Sequence, residues 1–163
     1  MAQKLYASWV HGNAAFAEDP AVAVLRQGFG ATFNIPVPDE LGVVQFHWIH
    51  VPIPTPVIMG DSGRLKLVKV LYQVNVADDL TLTGIHLFDG KTLFRHEDSM
   101  DVSGDHTDRP LEFTGWQRDL AHVMEFGLGV TLKVRTPVRS TVAGQNAPRH
   151  LFIAGAGADF VTR

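Results

Sequence analysis

Short runs of β-branched and aromatic residues alternate along this chain with clusters of Gly, Pro, Asn and Asp. This pattern is typical of β-strands that are separated by turns. It predicts strands near residues 3–11, 29–35, 43–51, 64–76, 80–88, 91–97, 127–135 and 150–155, with 120–126 as a further candidate. About eight strands closed by turn residues predict an all-β protein, an antiparallel β-sandwich of jelly-roll type.

Two segments fit either a helix or a strand. Segment 19–27 begins with an N-cap residue and a proline and ends before a glycine, but its valines and leucine also suit a strand. In segment 115–125, four apolar residues fall on one helical stripe: Trp116, Leu120, Val123 and Met124. Both segments stay open between the two structures.

Residues 82–96 form the clearest local pattern, a β-hairpin. Asp89-Gly90 favours a two-residue type I′ turn, because both positions of that turn need positive φ. With Phe88 paired to Lys91, the core face carries Thr83, Ile85, Leu87, Thr92, Phe94 and His96. His86 would then lie on the opposite face from His96, so we expect that the two rings do not share an ion.

Strand 64–76 is apolar on both of its faces. One parity is a core face and carries Val68, Val70, Tyr72, Val74 and Val76. The other parity carries leucines at positions where a solvated sheet would show polar residues: Leu65, Leu67 and Leu71. Charged residues are only 19% of the chain, so we expect a second subunit to cover this face in a homo-oligomer.

The length of 163 residues fits a single domain over 1–163. A net charge of -3 argues against a nucleic-acid partner and gives no basic face for an anionic membrane. The absence of cysteine excludes disulfides and thiolate chemistry. The sequence shows neither the apolar core of a signal peptide nor an apolar run of membrane-spanning length, so we expect a cytoplasmic protein.

Eight histidines are the most distinctive chemical feature of the chain. Without cysteine, a transition-metal site would need imidazole and carboxylate ligands. His47 and His50 form the most suggestive pair, but their flanks predict a strand, in which residues three apart point to opposite faces. The acidic loop 98–108 has four carboxylates without EF-hand spacing and is interpreted as a solvated connection. No metal site is predicted.

Three segments carry a family resemblance: Trp-Val-His-Gly-Asn at 9–13, Phe-His-Trp-Ile-His-Val-Pro-Ile-Pro-Thr-Pro-Val at 46–57, and Gly-Ala-Asp-Phe at 157–160. Together they resemble a group of uncharacterised small bacterial β-sandwich proteins. The resemblance spans nearly the whole chain and implies a sandwich fold. It brings no assigned activity, cofactor or site residue.

Ligand-binding candidates are aromatic rings that can stack on a ligand and imidazoles that can hydrogen-bond to it: Trp9, His11, His47, Trp48 and His50. Two function classes follow. The first is a non-enzymatic binding or assembly module for a small molecule, a glycan or a protein. The second is a small-molecule enzyme that uses histidine acid–base or metal chemistry, with a pocket at a strand or a subunit interface. No spacing reproduces a catalytic motif, which favours the first class; the catalytic residues and cofactor stay unassigned.

Overall fold

The computed structural model describes residues 5–55, 64–74, 80–108, 111–112, 122–136 and 148–161. Their regular structure is β apart from one turn of 3-10 helix, η1 (Gly12–Ala14). The strands are β1 (Leu5–His11), β2 (Phe16–Ala17), β3 (Ala23–Gln27), β4 (Gly30–Ile35), β5 (Phe46–Ile53), β6 (Arg64–Val74), β7 (Thr81–Asp89), β8 (Thr92–Glu97), β9 (Gly104–Asp105), β10 (Leu111–Glu112), β11 (Leu128–Arg135) and β12 (Arg149–Val161). The predicted all-β class is confirmed. None of the described helical segments has the length and apolar character needed to span a membrane.

Within these residues the strands form two antiparallel sheets. In the seven-stranded sheet, β12 lies at the centre, with β6 along one edge and with β4 and β1 sharing the other. Strand β3 extends the sheet beyond β4, while β9 and β10 pair with β6. The five-stranded sheet has the order β2-β5-β11-β7-β8.

Apolar residues from both sheets form one hydrophobic core cluster. Its largest fully buried side chains include Phe33 and Phe160 from the seven-stranded sheet, and Ile49 and Leu132 from the five-stranded sheet. The alternation of strand side chains explains this arrangement, since every second residue faces the core. Along β5 the alternation is regular from Phe46 to Ile53.

Segment 19–27, left open by the sequence, is partly a strand: β3 pairs with β4 along its full length. In segment 115–125, residues 115–121 lie outside the described part of the chain, and residues 122–125 contain only a single bridge position. Strand β12 runs to Val161, beyond the predicted end at 155. The strand pieces β2, β9 and β10 are only two residues long, too short to show a period in the sequence.

The register predicted for the hairpin is wrong. Asp89 is a strand residue that pairs with Thr92, so the two-residue loop is Gly90–Lys91, with Gly90 at φ 56°. A bulge between Leu87 and Phe88 then shifts the pairing by a further residue. His86 therefore lies directly opposite His96, and the two ring centroids are 5.6 Å apart.

Strand β6 is an interior strand, because it pairs with β12 on one edge and with β9 and β10 on the other. Its register places Val68 and Val70 opposite Ala158 and Ala156, and the predicted core parity of the strand stays a prediction. An irregularity near its start brings Leu65 opposite Phe160. Covering of this sheet by a second subunit stays a prediction.

Candidate ligand-binding face

Strand β5 presents two chemically different faces. Phe46, Trp48, His50 and Pro52 alternate with buried residues, so they lie on the outer face of the five-stranded sheet. His47 belongs to the buried set and is 1% exposed. The prediction that His47 and His50 point to opposite faces is therefore confirmed.

The register aligns one residue from each strand of this sheet in a single cross-strand row. The row runs through Phe16, His50, Thr131, His86 and His96. Directly opposite residues share a face of a sheet, which explains the ring contacts along the row. The Phe16 and His50 ring centroids are 5.1 Å apart.

A groove of about 260 Å³ lies beside this row on the outer face. Its lining comes from β2, β5, β7, β11 and the hairpin turn: Phe16, His50, Val51, Pro52, Phe88, Gly90, Gly129, Val130 and Thr131. Gly129 contributes no side chain, and a Cβ placed there would lie 3.6 Å from the Phe88 Cβ, an ordinary contact distance. The groove is thus flanked by two aromatic rings over a floor that has free space.

His50 is the polar centre of the groove. Its Nδ1 is 2.9 Å from the Thr131 hydroxyl, and its Nε2 is 3.4 Å from a carboxylate oxygen of Glu18. An ionised carboxylate only accepts hydrogen bonds, so it favours a proton on Nε2. In that tautomer Nδ1 accepts the Thr131 O–H, which holds the ring on one side.

A second polar cluster lies further along the same face, around Trp48. Asp98 accepts from His86 Nε2 and from Lys133 Nζ, each at 3.1 Å. These hydrogen bonds, the one from His86 first, hold the pKa of the Asp98 carboxyl below its usual value. The Trp48 ring centroid is 4.9 Å from that of His86, and Lys133 Nζ is 5.3 Å from the Trp48 ring.

His47 lies on the core side of β5. Its Nδ1 is 3.2 Å from an Asp19 carboxylate oxygen, but the pair is outside hydrogen-bond geometry. Burial lowers the pKa of His47 below 6.5, and the nearby Asp19 carboxylate opposes part of that shift. At 1% exposure the ring is not accessible to a ligand in this conformation.

Trp9 and His11 lie on β1 in the seven-stranded sheet, so the structure does not bring them to the groove. Trp9 covers Gly157, because a Cβ on Gly157 would lie 2.7 Å from the Trp9 Cε2 atom. His11 caps η1, with its Nδ1 accepting a hydrogen bond from the Asn13 N–H at 3.2 Å. Both residues thus have structural contacts there.

The acidic loop and the facing histidines do not form a metal centre in the part of the chain that is described. Asp98 pairs with His86 and Lys133, and Asp101 pairs with Arg135 at 3.4 Å. Among the described residues no group of three or more His, Asp or Glu side chains could hold a metal ion. The carboxylates that pair in this way tie the loop to the five-stranded sheet.

Of the five candidates, Trp48 and His50 lie on the outer face that carries the groove. Sequence reasoning missed Phe16, Phe88, Gly129 and Thr131. The usable signal was the alternation within β11, which puts Gly129, Thr131 and Lys133 on one face. Whether these residues lie next to Phe16 and Phe88 depends on how strands that are distant in the sequence pair with one another.

The fold and this face define a class: an all-β protein of two antiparallel sheets with an aromatic groove on one of them. Residues 1–157 match the model of the family of unknown function DUF6623, and the chain belongs to that family. No curated protein matches the chain. The resemblance to proteins without an assigned activity is thereby confirmed.

Proposed function

We propose that this protein is a non-enzymatic binding module, a β-sandwich of jelly-roll type whose groove holds one ring of a small neutral ligand. The observation that carries the proposal is the groove of about 260 Å³ between the Phe16 and Phe88 rings. Its floor at Gly129 is open, and His50 and Thr131 supply polar atoms at its side.

The chemistry of the lining supports a ring-shaped, uncharged ligand. Ligand pockets are mostly apolar, with a few polar groups that fix orientation. Volumes of roughly 300–1,000 Å³ suit drug-sized ligands, so a groove slightly below that range suits a single ring. Aromatic side chains offer flat faces for stacking. The described lining of the groove contains no Asp, Glu, Lys or Arg side chain.

The test uses a substitution that adds a side chain inside the groove and removes no existing side-chain contact. Gly129→Val places a side chain on the floor, and Gly28→Val, where a Cβ meets nothing within 4 Å, is the matched control. Saturation-transfer NMR with a library of neutral ring compounds should find binders of the wild type and of Gly28→Val that are lost in Gly129→Val. Binders that survive in a folded Gly129→Val, or a library without binders, would contradict the proposal.

A second candidate function is a hydrolytic enzyme. It is favoured by three groups in series: the Thr131 hydroxyl, the His50 imidazole and the Glu18 carboxylate. A hydroxyl next to an imidazole whose other nitrogen faces a carboxylate is an arrangement that activates a nucleophile. Thr131, however, is only 4% exposed, which favours binding over attack on a substrate. This candidate predicts turnover of activated esters that His50→Gln and Thr131→Val abolish without a change in Tm. Lack of turnover by the wild type eliminates it for ester substrates.

We also propose that the chain assembles as a homo-oligomer in the cytoplasm through the outer face of the seven-stranded sheet. Leu25, 55% exposed, shares a cross-strand row with Phe152, against which Phe29 packs at 5.7 Å. Native mass spectrometry should give a multiple of the 17.9 kDa chain, and Leu25→Glu should dissociate it. A monomeric wild type would refute the assembly, and cell fractionation tests the location.

A further inference from the structure

We infer that the ligand is a neutral oligosaccharide whose chain continues from the groove along β11 to a second stacking position at Trp48. This inference rests on the proposed groove and adds the class of ligand. It follows from three properties of the outer face: aromatic rings in two places, internally paired charges, and the distance between the two places.

Aromatic rings mark both ends of the proposed path. Phe16 and Phe88 flank the groove, and Phe46 and Trp48 lie together near Lys133, whose Nζ is 5.0 Å from the Phe46 ring centroid. A sugar ring has a face of C–H groups that packs on an aromatic ring and an edge of hydroxyls that needs hydrogen-bond partners. Both requirements are met where aromatic side chains alternate with polar ones on a sheet surface.

The described lysine of this face is paired with a carboxylate. Asp98 holds both His86 and Lys133 at 3.1 Å, and Glu18 lies 3.4 Å from His50. The Lys133 ammonium is balanced by Asp98, and Glu18 adds a negative charge beside the groove, so these groups offer donors and acceptors but no unbalanced positive charge for a phosphate or a carboxylate. The net charge of the chain, -3, also opposes an anionic polymer. A neutral, hydroxyl-rich ligand fits this surface best.

The distance between the two stacking positions requires a chain of sugars. Gly129 on the groove floor and Lys133 beside Trp48 belong to the same strand, β11. At roughly 3.3 Å per residue, their separation along the strand is about 13 Å. A single ring cannot span that length, whereas a short oligosaccharide can contact both ends.

The test compares ligand length with the state of Trp48. Isothermal titration with neutral gluco-, xylo-, manno-, galacto- and N-acetylglucosamine-based series, from monosaccharides to hexasaccharides, should find one series that binds. Trp48→Ala should weaken binding of its longer members about tenfold and leave the shortest binding member unchanged. Trp48→Phe should restore most of the affinity. Phe29→Ala, which removes a ring 64% exposed near the other sheet, is the control and should leave sugar binding unchanged.

A wild-type measurement keeps the test independent of variant folding. In NMR spectra the Trp48 indole N–H should shift with the hexasaccharide and not with the monosaccharide. If no sugar binds but another ring compound occupies the groove, this inference is wrong and the proposed function stands. If no ligand of either kind occupies the groove, both are wrong. If Trp48→Ala weakened the binding of long and short sugars equally, only the second stacking position at Trp48 would be overturned.

Discussion

On the outer face of each sheet, a glycine lies opposite an aromatic residue. In one sheet the ring covers the glycine, and in the other the space above the glycine is open. On the seven-stranded sheet, Gly157 pairs with Trp9, and the indole lies directly over the glycine backbone. On the five-stranded sheet, Gly129 pairs with Phe88, but the space above the glycine stays open as the floor of the groove. The same local pairing therefore closes one surface and opens the other.

This difference explains why exposure of an aromatic ring is a poor indicator of a site. Trp9 is 46% exposed, yet its ring covers backbone that would otherwise face solvent. A glycine in a strand often marks the close approach of another group, and here that group is part of the chain itself. At Gly129 the corresponding space is free, which leaves it to a ligand.

Alanine at the two glycines tests the comparison and has the largest expected effect. A Cβ on Gly157 would lie 2.7 Å from the Trp9 Cε2 atom and 2.8 Å from the Ser8 carbonyl oxygen, so Gly157→Ala should cost about 2 kcal/mol of unfolding free energy. Gly129→Ala meets only an ordinary contact and should change stability by about 0.5 kcal/mol or less. Urea unfolding of both variants measures the difference.

The combination of Trp9→Ala with Gly157→Ala is the control for this test. It removes the ring that the new methyl group would contact, so the double variant should be less destabilised than the sum of the single ones. Equal stability losses at the two glycines would show that the faces do not differ as described.

Asp89 anchors the groove end of the five-stranded sheet and has the next largest expected effect. Its buried carboxylate accepts hydrogen bonds from the N–H groups of Glu125, Phe126 and Gly127 and from His122 Nε2. Although burial alone would raise it, these hydrogen bonds lower the pKa of Asp89 to about 2. The carboxylate therefore stabilises the fold fully above the unfolded pKa, near 3.8, and this contribution is lost as the pH falls towards 2.

That contribution is about 2 kcal/mol. Asp89→Asn should lose a similar amount at neutral pH, because an amide cannot accept all of these hydrogen bonds. It should also show a flatter loss of stability between about pH 4 and pH 2. Urea unfolding across this range is the measurement. An acid profile identical to that of the wild type would contradict the role of Asp89.

Asp89 also illustrates how far local sequence rules reach. The Asp-Gly pair indicated a hairpin turn, and a turn is present, but the carboxylate is bound by a loop up to 38 residues away. Asp89 lies in the strand, where it pairs with Thr92 and Leu128, and the turn is at Gly90–Lys91. The alternation rule, by contrast, correctly separated the two faces of β5, because it depends only on neighbouring residues.

The groove could not be predicted from local sequence patterns, because the residues that form it are far apart in the sequence. His50 and Thr131 are 81 positions apart, and Phe16 comes from a two-residue strand. A single bulge in the hairpin brings His96 to the same face as His86. Because a one-residue slip moves side chains to the other face, small errors of register hide a site even when the strands are correctly predicted.

The smallest effect is expected on the core side of β5, beneath the outer face that carries the groove. The pKa of the buried His47 is lowered below 6.5, so the unfolded chain takes up a proton at a higher pH than the folded protein does. Stability should therefore fall as the pH decreases through 6.5 and become level below the folded pKa. The neighbouring Asp19 carboxylate opposes the shift, which limits the loss.

Urea unfolding between about pH 8 and pH 5 measures this slope. His47→Gln should remove it, because glutamine does not titrate. Asp19→Asn should make it steeper, because a neutral amide no longer favours the protonated ring, while its oxygen can still accept the Ala21 N–H. The two variants thus change the slope in opposite directions, which a general loss of packing would not do. A slope unaltered by both would assign the pH dependence to other groups and leave His47 as a packed core residue only.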